Sequence, residues 1–336
     1  MKFFASGGSI FANKKELPFS SPTRETWIVV GGGICLGVAG ILLTLPGLGT
    51  AVSIVLLVGV WATLWWQNAR LANWQPKARW QVALRDVSVP FVFGVTLLLL
   101  WELAVLKFEI SPVILPPPSA IATRLFAAHN MLWQDFVQTF IKGALTGYTM
   151  GVAAAFAVAL VADRSDFLRR GLLPVGNFMA ALPIIGTAPI LVMWFGFDWH
   201  SKAAVVVVMV FFPVLVNTVE GLRASAPMQR DLMQTYGAGY GQTLWKLRVP
   251  AAMPFVFTGL KIATTLALIG AIVAEFFGSP IKGMGFRIST EVGRLALDMV
   301  WAEIVVAALA GSAFYGAIAL LERVVTFWHP SQRARG

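Results

Sequence analysis

The chain is 336 residues long, 57% hydrophobic and only 12% charged, with a mean hydropathy of +0.74. Soluble domains carry about 25% charged residues, so this composition excludes a water-soluble globular protein, and equally a disordered one. The net charge of +10 is spread over short segments between apolar runs, with no RNP-like, zinc-finger or basic-helix pattern. That distribution is a membrane-topology signal and argues against nucleic-acid binding.

A bilayer-spanning helix needs about 20 mostly apolar residues, and helices are the default because lipid offers no partners to free backbone groups. About eight stretches satisfy this, which predicts an all-α integral membrane protein. Residues 1–26 form a polar tail with no apolar core, so they are not read as a cleaved signal peptide. Spans at 27–45 and 51–66 follow, joined by a tight "PGLGT" turn, and a basic loop runs on to residue 86. The single cysteine, Cys35, lies in the first span, so no intrachain disulfide or cysteine-based metal site is available. The third span is placed at 87–106.

A long segment, 107–135, comes next. Pro116–Pro118 stop any helix, and Ser119 is placed to cap a new one. Ile121, Leu125 and Leu132 recur at roughly helical spacing, which predicts a short amphipathic helix on the outer surface. The fourth span, 136–162, carries Gly143, Gly147 and Gly151 at every fourth residue, a signal for close helix approach. The fifth, 171–197, is interrupted by Pro174, Pro183 and Pro189, and the sixth, 203–219, contains Pro213. A second long segment covers 220–252. The seventh and eighth spans, 255–277 and 300–321, precede a tail at 326–336. With the N-terminus inside, Lys and Arg favour inside segments by about three to one, which puts both termini in the cytoplasm. The organisation is an N-terminal tail, an added hairpin with its basic loop at 27–86, and a six-span unit at 87–325. No internal repeat is evident.

The segment 220–252 reads "EGLRASAPMQRDLMQTYGAGYGQTLWKLRVPAA". Good helix formers run to Tyr236, Gly237 interrupts, and a second helical piece runs to about Arg248. Pro250 and Pro254 mark re-entry into the seventh span. Leu232, Tyr236 and Tyr240 are four apart and share one face, with Met233 and Leu244 close to it. Two short helices around a glycine bend, presenting aromatic and Met side chains, suit a helix-in-groove partner.

This segment resembles the EAA loop of ABC importer permeases with a type I, methionine-permease-like transmembrane domain. In that family a glycine is followed by nine residues, an Ile, one residue and Leu-Pro. Here Gly237 is followed by nine residues and then Leu247, Arg248, Val249 and Pro250. The opening triplet departs, with Asp231, Leu232 and Met233 in place of Glu-Ala-Ala. "ILPPPSAI", "ALPIIGTAPILVMWFGF", "FFPVLVNTVEGLR" and "FTGLKIATTLALIGAIVAEFFGSPIKGMGF" resemble the nitrate/sulfonate/taurine/bicarbonate branch. The resemblance covers roughly residues 88–325.

It implies a permease subunit that forms the path, in a bacterial inner membrane, as a dimer of identical chains within membrane lipid. A cytosolic ATPase dimer grips Asp231, Leu232, Met233, Tyr236, Gly237, Ala238, Tyr240, Leu247 and Pro250. A periplasmic or lipid-anchored binding protein delivers a small polar solute: an oxyanion such as nitrate, sulfonate or taurine, or a heterocyclic vitamin precursor. The chain has no Walker A glycine loop, so it is expected to bind no cofactor, with ATP and magnesium on the partner.

Path candidates are Asn177, Lys261, Thr264, Thr265 and Glu275, since polar groups within spans are costly and often functional. Each has a plainer reading. Lys261 can snorkel to the cytosolic end, Glu275 can pair near the outer end, and threonines can bond their own helix. His129, His200 and His329 are isolated outside the apolar runs, so no metal or catalytic site is expected. No acid–base or nucleophile constellation supports an intramembrane enzyme. An ion-gradient transporter or channel stays as the alternative, because the fifth span is broken by prolines.

Overall fold

The structure, a computed structural model, describes residues 50–74, 79–180, 182–279 and 281–328. The tail 1–26, the span 27–45 with Cys35, and His329 lie outside the described residues. The chain divides into two compact units, Met1–Ser111 and Pro112–Gly336. The sequence reading put its boundary between 86 and 87, so the helix that it counted as the first of six spans falls in the N-terminal unit.

In that unit, α1 (Thr50–Ala72) packs along α2 (Arg79–Lys107). Trp65 of α1 meets Phe93 of α2 edge-on, with ring centroids 6.2 Å apart. Arg85 donates to the Trp74 carbonyl at 2.9 Å, which ties the start of α2 to the connection.

The second unit starts with α3 (Pro118–Ala127). Pro117 is its N-cap residue and Pro118 occupies the first turn, so Ser119 does not cap it. Proline's fixed φ and missing N–H suit that turn without help. The helix is also not a free surface element. Ile121 is buried, and Leu125 packs with Leu132, Met299 and Ala302. Leu132 belongs to the next helix, α4 (His129–Phe136), which continues through a π-helical stretch, Val137–Leu145, into α5 (Thr146–Asp163).

The predicted fifth span is two shorter helices, α6 (Asp166–Ala180) and α7 (Ile184–Phe195). The break falls at Pro183, the N-cap residue of α7, whereas Pro174 and Pro189 stay inside their helices. Twelve residues rise only about 18 Å, short of the roughly 30 Å hydrocarbon layer. Then come α8 (Trp199–Arg223), α9 (Pro227–Thr235) and α10 (Tyr240–Thr243). A second π-helical stretch, Leu244–Arg248, leads into α11 (Val249–Phe277), followed by α12 (Met284–Gly293) and α13 (Leu297–Val325).

Pro250 and Pro254, read in the sequence as marking re-entry into the seventh span, do not interrupt the chain, which is continuously helical from Tyr240 to Phe277. The π-helical stretch explains this. Val249 donates to Leu244, five residues back, so the wide turn absorbs the bonding pattern that Pro250 cannot continue.

Five helices among the described residues are long and apolar enough to cross a membrane: Trp80–Lys107, His129–Asp163, Trp199–Arg223, Tyr240–Phe277 and Leu297–Val325. In the second unit α8 is central, flanked by α5 and α11. Small residues allow this. A Cβ on Gly147 would sit 2.6 Å from Val206 Cβ and 2.7 Å from the Ala203 carbonyl oxygen, and Gly151 faces the Val207 backbone. On the other side Gly259 of α11 meets Asn217 of α8. In lipid, where apolar burial between helices gains little, such close contact is a main source of packing energy.

Candidate functional site

The segment joining α8 to α11 departs from the bundle's apolar character. α9 starts with Pro227 in its first turn, and Gln229 Oε1 accepts from the Ala226 N–H. It ends where Gly237 takes φ +70°. The Ala238 N–H donates to the Met233 carbonyl at 2.9 Å, and the Gly237 N–H donates to the Gln234 carbonyl at 2.8 Å. These two bonds make a Schellman C-cap, whose left-handed position favours glycine. Among the described residues, chain neighbours aside, nothing lies within 4 Å of where a Gly237 Cβ would be, so its constraint is conformational.

Met228, Leu232 and Tyr236 are 82%, 55% and 80% exposed, and their four-residue spacing puts them on one face of α9. Asp231 is exposed, Met233 and Ala238 are partly covered, and Leu247 and Pro250 are half-buried on the continuing helix. Two members of the predicted face turn elsewhere. Leu244 is buried with Leu222, Ala252 and Val256. Tyr240 is exposed, at 41%, but its hydroxyl donates to Asp163 Oδ2 at 2.6 Å.

Asp163, the last residue of α5, is the hub of a network that sequence reasoning missed. Arg248 reaches it with both terminal nitrogens, at 2.7 and 2.5 Å, and its Nε donates to the Leu222 carbonyl at 2.9 Å. The Arg164 guanidinium sits 5.1 Å from the centre of the Tyr240 ring. Residues 85 apart in sequence meet here, and neither periodicity nor local motif marks such a pair.

Lys261 pairs with Glu322 Oε2 at 2.7 Å. Thr264 is buried and donates to the Lys261 carbonyl at 2.7 Å, whereas Thr265 is exposed. The side chain of Asn177, on α6, lies outside the described residues. Glu275, at the far end of α11, is buried and belongs to a second polar cluster.

In that cluster Thr139 donates to Glu275, and the Gly285 N–H donates to its Oε2 at 2.8 Å. The Met284 N–H donates to Thr139 Oγ1 at 2.7 Å. Asp135 accepts from the Gly283 N–H at 2.6 Å and from Arg287 Nε at 2.9 Å. Glu303 is fully buried beside Asp135. Lys202 and Arg287 read as loop residues in the sequence. Instead Lys202 is fully buried in the first turn of α8, donating to the Phe197 carbonyl and, at 2.6 Å, to that of Gly278. Arg287 is largely covered, with a side chain 13% exposed.

His129 bonds the Phe126 carbonyl and His200 stacks on Trp199. No group of three or more His, Cys, Asp or Glu able to hold a metal occurs among the described residues.

Residues 147–327 match the family described as binding-protein-dependent transport system inner membrane component. The chain belongs to that family. The permease is 30% identical over 243 residues to the formylaminopyrimidine transport permease protein of Halalkalibacterium halodurans, covering 72% of this chain and 96% of that one. It is also 30% identical to the riboflavin transport system permease protein of Chloroflexus aurantiacus, covering 70% and 88%. Its identity to the taurine transport system permease protein of Escherichia coli is 27%, covering 78% and 97%. The resemblance read from the sequence is therefore borne out. The chain is a multi-pass permease subunit of an ABC importer, a family whose permeases work with an ATPase and a solute-binding protein.

Proposed function

We propose that the permease assembles as a homodimer, with α9 and the start of α10 gripped by a separate ATPase dimer that holds all the ATP and magnesium. The observation that carries this reading is the exposed Met228–Leu232–Tyr236 face. An apolar face on an otherwise polar loop is costly in water and suits a groove on another protein. Anchoring by Tyr236 fits the usual role of aromatic residues at interface centres. An ATPase that works as a pair calls for two such loops, and a symmetric dimer provides them. Both termini and the loop then face the cytoplasm of a bacterial inner membrane.

The solute is a small polar molecule, either an oxyanion such as taurine, a sulfonate or nitrate, or a heterocyclic vitamin precursor. Relatives named for formylaminopyrimidine, riboflavin and taurine transport support that range. The test is the composition and activity of the complex purified with its ATPase. Two permease chains per two ATPases, with no hydrolysis by the permease alone, is the expected result. One permease chain per two ATPases, or hydrolysis by the isolated permease, would contradict it.

A further inference from the structure

We propose that Asp163 and Arg248 lock the cytosolic loop to the ends of α5 and α8, so that loop and bundle move as one body. This rests on the reading that the loop receives an ATPase. An ATPase can shift the spans only if its push is not absorbed by bending where the loop meets the membrane. The segment between α8 and α10 has two weak points for such bending, the Ala224–Ala226 connection and the Gly237–Gly239 turn.

One guanidinium bridges these weak points. Arg248 ends the π-helical stretch Leu244–Arg248 and lies beyond both of them in the chain. Its two terminal nitrogens take both oxygens of Asp163 at the end of α5, and its Nε takes the Leu222 carbonyl in the last turn of α8. Last-turn carbonyls have no partner within their own helix, so this bond satisfies a group that otherwise needs one. The side chains are 14% and 3% exposed, so water competes little for the pair. A forked, charge-assisted pair fixes direction as well as distance, which a single bond does not. Tyr240 adds the start of α10 through its hydroxyl on the same carboxylate, and Arg164 covers the Tyr240 ring. Three elements are thus fastened at one point. Behind it, α5 carries the lock into the bundle through the Gly147 and Gly151 contacts with α8. Asp163 and Arg248 are positioning residues. They fix the base of the partner-facing surface without forming it.

The test is a spin-label distance between Gln234 on α9, on the side of the helix away from the Met228–Leu232–Tyr236 face, and Val161 on α5, both exposed, with native Cys35 replaced by Ser and labelled chains diluted with unlabelled ones. It is measured in the isolated permease and in the complex trapped with ATP and vanadate. The wild type should give one narrow distance, the same in both states. Asp163→Asn should add a second, longer component. Arg248→Lys should do the same, because it keeps the charge and loses the fork. Asp163→Glu, which keeps the acceptor pair, should restore the single distance. A single unchanged distance in Asp163→Asn and Arg248→Lys would overturn the proposal even where the ATPase still binds. If the variants lose the single distance but the ATPase never associates with wild type, the lock stands and the coupling reading falls.

Discussion

Gly237→Trp is expected to insert into the membrane normally and lose association with the ATPase. Two effects of the substitution separate cleanly. A side chain at φ +70° costs about 1–2 kcal/mol in backbone strain, too little to stop insertion of a bundle built around α5, α8 and α11. Among the described residues, neighbours in the chain aside, nothing lies within 4 Å of the added Cβ, so the side chain starts into open space. Any larger loss must come from a partner seated on the turn. Gly237→Ala is the control, since it carries the strain with little bulk, and it should retain most association. The measurement is co-purification of the ATPase at matched membrane levels of permease. Equal co-purification by the Trp variant and the wild type would mean that the turn faces no partner.

Arg287→Met is expected to destabilise the permease strongly. Asp135 is fully buried, and Arg287 is the cation bonded to it. Glu275 and Glu303 are buried in the same region. Removing one partner of a buried ion pair leaves an uncompensated charge, which costs about 3–5 kcal/mol. In a thermal unfolding scan of the detergent-solubilised protein, the midpoint should fall well below the wild type. Asp135→Asn combined with Arg287→Met should recover much of the loss, because the stranded charge is gone. Equal stability of the single and double variants would show that the pair carries no such charge balance.

The two clusters mark where sequence reasoning ran out. The five helices long and apolar enough to cross a membrane were legible because apolar runs of that length are rare in other settings, whereas the proline-interrupted fifth span is two shorter helices. Gly237 was legible because a glycine after good helix formers is a local stop signal, and the structure adds the Schellman cap that requires it. The glycine stripe on α5 was legible too, since its four-residue spacing is visible without knowing what it faces. Asp163 with Arg248, Asp135 with Arg287, and Thr139 with Glu275 were not. These partners lie 85, 152 and 136 residues apart, and no short-range pattern carries that information. Lys202 misled for a related reason. Counting charges assigns a lysine between apolar runs to a loop, but this one is buried as a donor to two carbonyls at chain turns. Pro250 and Pro254 misled because proline rules assume a regular α-helix, and the π-helical turn before Pro250 changes the bonding pattern.

The central claim is that the Met228–Leu232–Tyr236 face is the seat of a separate ATPase, and Tyr236 tests it most directly. It is 80% exposed in the single chain and shares a face of α9 with Met228 and Leu232. A photo-reactive amino acid at Tyr236, activated in membranes that contain the whole importer, should cross-link the permease to the ATPase subunit. Cross-links to lipid alone, with the ATPase present and competent to hydrolyse ATP, would contradict the account.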